Sequence, residues 1–253
     1  MRLHHTLSQY GEAFMRLIYP AVCGACPAFL ELEEYPLCSA CAGRVERLRF
    51  SQDDCLCEDV PSKRSELNEA WALYPYESPV REILQSVKFA RKRWLLRVFE
   101  TSLGEFVSSL HSENHYDYLV PVPVDRMKLI QREFNQSAVL AKMAGRGAQI
   151  PVLNALGKPR ITRAQSGLSR NERGINLHGA FKIKHKVEDM NLLLVDDILT
   201  TGSTAREAAR ELKRAGARRV DLLTLARTEK NAAPETVRAA GNRLALAGEA
   251  ALL

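Results

Sequence analysis

The stretch LLLVDDILTTGSTA, from Leu192 to Ala205, constrains this chain more than any other. Four consecutive apolar residues, Leu192 to Val195, read as a central parallel strand buried on both faces. Asp196 and Asp197 follow at its carboxyl end, where open α/β sheets place their ligands. Thr200, Thr201, Gly202, Ser203 and Thr204 then form a short turn that opens a helix. Such a turn offers free backbone N–H groups, hydroxyl donors and the positive end of a helix dipole, which together make a cradle for a monophosphate. Gly202 lets the backbone come close to the phosphate or take a positive φ. An ordinary helix cap would account for Ser203 or Thr204 alone, but not for the paired acids and TTG as well. Two adjacent carboxylates beside a phosphate make chemical sense if they reach the hydroxyls of a sugar attached to it. The chain has neither G-x-x-x-x-G-K-S/T nor G-x-G-x-x-G, so a sugar 5-phosphate fits better than ATP or NAD.

The neighbouring segments alternate strand and helix signals, as an α/β domain requires. Strands are expected at Trp71 to Tyr76, Tyr118 to Val122 and Val220 to Leu225. Helices are expected from Pro79 to about Arg91, where Val80, Ile83, Leu84 and Val87 share a face, and from Ser203 to Ala215, stopped by Gly216. A further helix from Asn135 to about Ala144 should close near Gly145 and Gly147. The acidic, polar run from Ser51 to Asn68 reads as a linker. The expected organisation is an N-terminal helix and small zinc unit over 1–60, an α/β domain over 61–228 and an Ala-rich tail over 229–253.

Cys23, Cys26, Cys38 and Cys41 form a C-x2-C, eleven intervening residues and a second C-x2-C. Thiolates at these spacings can converge on one tetrahedral zinc without a large fold to position them. Cys55 and Cys57 form a C-x-C, a poor chelating loop. The first twenty residues place Leu3, Leu7, Tyr10, Phe14, Leu17 and Ile18 on one helical face, unlike the unbroken apolar core of a secretory signal. No run of about 18 apolar residues occurs, which argues against membrane insertion, and a cytoplasmic location with reduced thiols follows as the expectation.

The formal net charge of +6 is unevenly spread. Arg81 to Arg97 carries six basic residues against Glu82 alone, and Lys158 to Lys186 carries eight against Glu172 alone. Clusters of this kind suit a polyanion, either phosphates on a small molecule or a nucleic-acid backbone.

The strand, acid pair and TTGST resemble the phosphoribosyl-pyrophosphate (PRPP) motif of type I phosphoribosyltransferases. The chain as a whole resembles the ComF family, which is associated with bacterial competence and DNA uptake. The resemblance runs over roughly residues 10–228 and rests on separated motifs in one order: the double C-x2-C, YPYESPVREILQSVKF, VPVPVDRMKLIQREFNQS, TRAQSGLSRNERGIN with GAF after it, LLLVDDILTTGST, and a strand ending in LAR. It implies a type I phosphoribosyltransferase fold, a mostly parallel sheet flanked by helices, with a small zinc ribbon in front. It further implies that Asp196 and Asp197 contact ribose hydroxyls, and that Thr200, Thr201, Gly202, Ser203 and Thr204 hold the 5-phosphate. Arg132, Asn135 and Gln136 would approach the pyrophosphate. Arg163, Gln165, Arg170 and Arg173 would belong to a mobile loop over the site. Structural zinc and Mg²⁺ bound with PRPP are the cofactors implied. Two positions depart from the family pattern. Glu133 stands where the family usually has Gly before the Phe of FNQ, and the third cysteine pair is C-x-C rather than C-x2-C.

Two functions are compatible with these residues. One is an enzyme that breaks the C1–pyrophosphate bond of PRPP and passes the phosphoribosyl group to an acceptor, with Asp196 or Asp197 fixing the ribose or acting as base. No base-recognition signature marks the acceptor. The other is a non-catalytic protein that handles single-stranded DNA beside competence proteins, with Trp94 and Phe89 stacking bases, although aromatics in such positions more often pack within the fold. The oligomeric state is open.

Overall fold

The computed structural model describes residues 21–31, 33–51, 54–57, 60, 66–158 and 179–228. The first twenty residues, the segment holding Arg163, Gln165, Arg170 and Arg173, and the tail after Thr228 lie outside these. In chain order the elements are α1 (Ser39–Leu48), β1 (Ala70–Pro75), α2 (Val80–Phe89), a 3-10 helix (Arg93–Phe99) and α3 (Glu100–Asn114). Then come β2 (Tyr118–Pro121), α4 (Arg126–Arg132), α5 (Gln136–Ala148), β3 (Leu156–Gly157) and β4 (Lys182–Ile183). The last three are β5 (Asn191–Leu199), α6 (Ser203–Arg214) and β6 (Arg219–Arg227). Among the described residues, no helix is long and apolar enough to cross a membrane.

The central sheet has strand order β1-β6-β5-β2, and every pairing in it is parallel. Its apolar side chains alternate between two cores, as a period of two demands. Leu73, Leu193, Val195, Leu223 and Leu225 face α2, α3, α5 and the 3-10 helix. Ala72, Leu192, Leu194, Val220 and Leu222 face α6 and the β3–β4 pair. Burying each leucine of this set contributes roughly 1.5–3 kcal/mol, so the middle strands carry much of the fold's stability. The sheet therefore holds the carboxyl end of β5 rigid, and that end carries the acid pair.

Two expectations from the sequence give way here. Gly145 and Gly147 do not stop α5, which continues to Ala148 and ends at Gln149 in the left-handed region. Their role is close approach instead. A Cβ on Gly147 would stand 2.6 Å from the Gly104 Cα of α3, and one on Gly145 would stand 2.6 Å from the Ile150 carbonyl oxygen. The expected linker is not a free connection in its described part either. The Cys55–Cys57 segment runs antiparallel along the outer edge of β1, with the Cys57 N–H donating to the Ala70 carbonyl at 2.7 Å and the Ala72 N–H to the Cys55 carbonyl at 2.9 Å. Arg227, the last residue of β6, clamps this segment by donating to the Leu56 carbonyl at 3.1 Å while its guanidinium lies over the Phe50 ring.

At the amino end of the sheet, Asp221 is wholly buried within β6. Its carboxylate accepts from the Tyr116 hydroxyl at 2.6 Å, from Arg219 Nε at 2.6 Å and from the Glu69 N–H at 3.0 Å. Burial, and then the adjacent Asp221 charge, push the Tyr116 hydroxyl far above its ordinary range, so it stays a donor. This network sits at the opposite end of the strands from the acid pair and holds β6 to the segments before β1 and β2.

Candidate functional site

A cleft of about 240 Å³ opens at the carboxyl ends of β5 and β2. Its floor is the run from Asp196 to Ala205, so the acid pair and the whole Thr200–Thr204 turn line one cavity. Gly202 sits at φ +71, the left-handed conformation that side chains disfavour, and starts α6. No acid lies in the first turn of α6, and no side chain caps it at Gly202. Thr201 Oγ1 and Ser203 Oγ share a 2.9 Å hydrogen bond, which holds both hydroxyls at the mouth of the helix. Arg206, one turn into α6, donates to the Thr201 carbonyl at 2.6 Å and braces the turn from behind.

The two acids are engaged differently. Asp196 Oδ1 accepts from Ser137 Oγ at 2.8 Å and from the Asp197 N–H at 2.9 Å. Asp197 Oδ2 meets the Lys88 ammonium at 2.8 Å. Among the described residues, Asp196 Oδ2 and Asp197 Oδ1 take no hydrogen bond, so each carboxylate keeps one oxygen open. Burial and then the neighbouring Asp197 charge push the Asp196 carboxyl up to about 7, against the opposing pull of its hydrogen bonds and Lys88. A cation or a pair of hydroxyl donors would relieve that crowding.

The opposite wall is basic. Lys128, Arg132 and Lys158 line it, with Asp125 among them. Asp125 is buried and caps α4, accepting from the Lys128 N–H at 2.9 Å. Lys158 lies over the Phe181 ring, and burial, then Lys128, bring its ammonium below the usual lysine range despite Asp125 and Asp196. Arg132 lines the cleft and donates to Gln136 Oε1 at 3.3 Å. Gln136 is buried, and its Nε2 has no partner among the described residues. Asn135 caps α5 through the Ser137 N–H at 3.1 Å and donates to the Val122 carbonyl at 3.0 Å. Its side chain thus ties the end of β2 to α5, and neither it nor Gln136 lines the cleft.

Sequence reasoning did not single out Lys88, Lys128, Lys158, Asp125 or Ser137. The basic clusters hinted at the lysines, but charge counts do not tell which side chains turn inward. Ser137 follows FNQ directly and could have been found as the next residue on the first turn of α5.

The four cysteines of the doubled motif meet as well, with their sulfur atoms all within 4.8 Å of one another. Cys26 and Cys38 sulfurs are 3.8 Å apart, matching the edge of about 3.8 Å in a tetrahedron with zinc–sulfur bonds of about 2.3 Å. Cys23 Sγ accepts the N–H groups of Ala25 and Cys38, each at 3.4 Å. Burial alone would raise the Cys23 thiol, but backbone donors from Cys38, Ala25 and Cys26 outweigh it and bring it down to about 7. A donor set of four soft thiols converging on one point fits a zinc ion. The unit packs against the sheet domain. Leu95 lies where a Cβ on Gly24 would stand, 2.1 Å away, and Tyr35 stacks on Trp94 with ring centres 5.2 Å apart.

The phosphoribosyl transferase domain family matches residues 154–241, the part that holds the acid pair and the phosphate turn. Curated relatives extend the likeness over most of the chain. Competence protein F of Haemophilus influenzae is 27% identical over 208 residues, covering 79% of this chain and 88% of that protein. Competence protein ComFC of Bacillus subtilis is 27% identical over 202 residues, covering 77% and 79%. DNA utilization protein YhgH of Escherichia coli is 29% identical over 226 residues, covering 81% and 96%. The chain is similar to ComF-type competence and DNA-utilization proteins over most of its length.

Glu133, the departure from the ComF pattern, has a physical account. It ends α4 at φ 67, the left-handed region in which glycine is at ease, and glycine is the residue the family usually has there. Its carboxylate turns outward to pair with Arg91 and does not line the cleft. The departure from the ComF pattern therefore leaves the basic wall without an added negative charge. The C-x-C departure is equally local, since both thiols are buried along β1, away from the four-sulfur cluster.

Proposed function

We propose that the cleft binds PRPP and that this ComF-type protein transfers its phosphoribosyl group, releasing pyrophosphate, in the service of DNA uptake or use. One observation carries the reading: two open carboxylate oxygens, on Asp196 and Asp197, share a cavity with a glycine-started helix turn that has no acid in its first turn. Vicinal ribose hydroxyls suit the first, and a 5-phosphate suits the second. Lys128, Arg132 and Lys158 supply the positive wall that a pyrophosphate needs, and their charge counts most as the C1–oxygen bond breaks. Mg²⁺ carried on the pyrophosphate would neutralise the leaving group, and the open oxygens of the acid pair are the hard donors that suit it. The competence and DNA-utilization names of the relatives support the biological setting. The four-cysteine unit is read as a structural zinc ribbon in the same protein.

Calorimetric titration with PRPP and Mg²⁺ tests the reading. Asp197→Ala and Gly202→Val should each weaken binding by roughly tenfold or more, a loss of about 1.4 kcal/mol. At Gly202 a side chain would meet Arg206 Nη1 at 2.8 Å and Val60 Cγ1 at 3.2 Å and would strain the positive-φ turn that shapes the cradle. Unchanged affinity in both variants would put the ligand elsewhere.

A second reading, contact with single-stranded DNA, has one observation in its favour. Phe89 is 79% exposed at the end of α2, beside the exposed Arg91, Lys92 and Arg93. Trp94 is spent on Tyr35 and does not join it. A thymidine oligomer titrated at two salt concentrations is the companion measurement, and salt-dependent affinity that drops in Phe89→Ala would favour this reading.

A further inference from the structure

Lys88 belongs to the segment YPYESPVREILQSVKF, a run with no phosphate-binding signature of its own. It sits in the last turn of α2, directly after the buried stripe of Val80, Ile83, Leu84 and Val87 that fixes the helix's rotation on the sheet. That rotation carries the Lys88 stem to the carboxyl end of β5, where its ammonium meets Asp197 Oδ2 at 2.8 Å inside the cleft. The two side chains are only 16% and 13% exposed, so both ions have given up most of their water.

A pair dehydrated to this degree regains little net stability, because the lost hydration offsets most of the attraction. An apolar contact would tether α2 to β5 as well. The location of the charge is therefore the informative fact. Lys128, Arg132 and Lys158 stand on the far wall, from the β2–α5 connection and the end of β3, while Lys88 approaches the acid pair from α2.

We propose that Lys88 is a positioning residue of the sugar-phosphate cleft, holding Asp197 by one oxygen so that the other is presented to a ribose hydroxyl. This rests on the sugar-phosphate reading of the cleft. In this arrangement Lys88 acts through Asp197 and serves any ligand that combines a vicinal diol with a phosphate.

The test is calorimetry with PRPP and with ribose 5-phosphate on the full chain, for wild type, Lys88→Met, Lys88→Gln and Lys88→Arg, each with its melting temperature. The methionine and glutamine variants should lose roughly tenfold or more in affinity for both ligands, and arginine should stay within about threefold of wild type. In an Asp197→Asn background, Lys88→Met should cause no further loss. A purely structural lysine would instead lower the melting temperature without this charge-specific rescue. Wild-type affinity in the folded neutral variants would overturn the proposal while leaving the cleft reading intact, and so would an arginine variant as weak as methionine. Should Lys88→Met fail to fold, glutamine, neutral but still a hydrogen-bond donor, decides. Wild type that binds neither sugar phosphate would overturn the cleft reading itself, and the role of Lys88 with it.

Discussion

Protein purified without chelator should carry one equivalent of zinc, and stripping it should unfold the cysteine unit and lower the melting temperature of the whole chain. Zinc held by a compact thiolate set contributes apparent binding energies on the order of 10 kcal/mol in small units, and little else holds residues 21–48 together. Their apolar residues Leu37 and Val45 share one core with Trp71, Leu95 and Phe99 of the sheet domain, so the loss spreads beyond the ligands. The chain has two tryptophans, and both report on it: Trp94 stacks on Tyr35, and Trp71 pairs with Leu56. A large change in tryptophan emission on chelation, reversed by added zinc, is the expected signature. Cys23→Ser should show the same emission at full zinc supply. Less than about half an equivalent of metal, or emission indifferent to chelator, would remove zinc from the account.

The largest single-residue loss of stability is expected at Asp221. Replacing it with Ala leaves Arg219 and the buried Tyr116 hydroxyl without their shared acceptor, a situation that costs about 3–5 kcal/mol. Asp221→Asn keeps the shape and an acceptor oxygen but not the charge, and should fall between alanine and wild type. Urea denaturation followed by circular dichroism measures both. A loss of under about 1 kcal/mol for the alanine variant would mean that water reaches the site and substitutes for the carboxylate.

The parts of this molecule legible in its sequence are those whose chemistry is contiguous. LLLVDDILTTGST announces strand, acids and turn in a single run, and the doubled C-x2-C does the same for the sulfur cluster. What escaped reading is assembled from distant segments. Lys88, Lys128 and Lys158 come from three separate elements, and each looks like an ordinary surface lysine until the sheet brings them to one cleft. Val220 to Leu225 reads as a simple buried strand, yet it contains Asp221, whose partners lie about 150 and 105 residues earlier in the chain. Gly145 and Gly147 were misleading for a related reason. A glycine that ends a helix and one that lets two helices touch look the same along the chain, and only the Gly104 backbone across the gap distinguishes them.

The pairing along β1 has a consequence for how copies of this protein behave toward one another. An open parallel sheet offers its outermost strands as templates for another chain, the usual route to strand exchange and fibrous association. Here β1 is shielded by the Cys55–Cys57 segment, and β2 by residues 150–153, where Leu119 donates to the Pro151 carbonyl and Leu153 to the Leu119 carbonyl. The shield on β1 continues directly from the cysteine-bearing unit and shares its core. Disruption of the cysteine unit would thus loosen the cover over a buried strand of Ala, Trp, Leu and Tyr and leave an edge open to pairing with another chain. The sulfur cluster thereby protects a sheet edge as well as a shape.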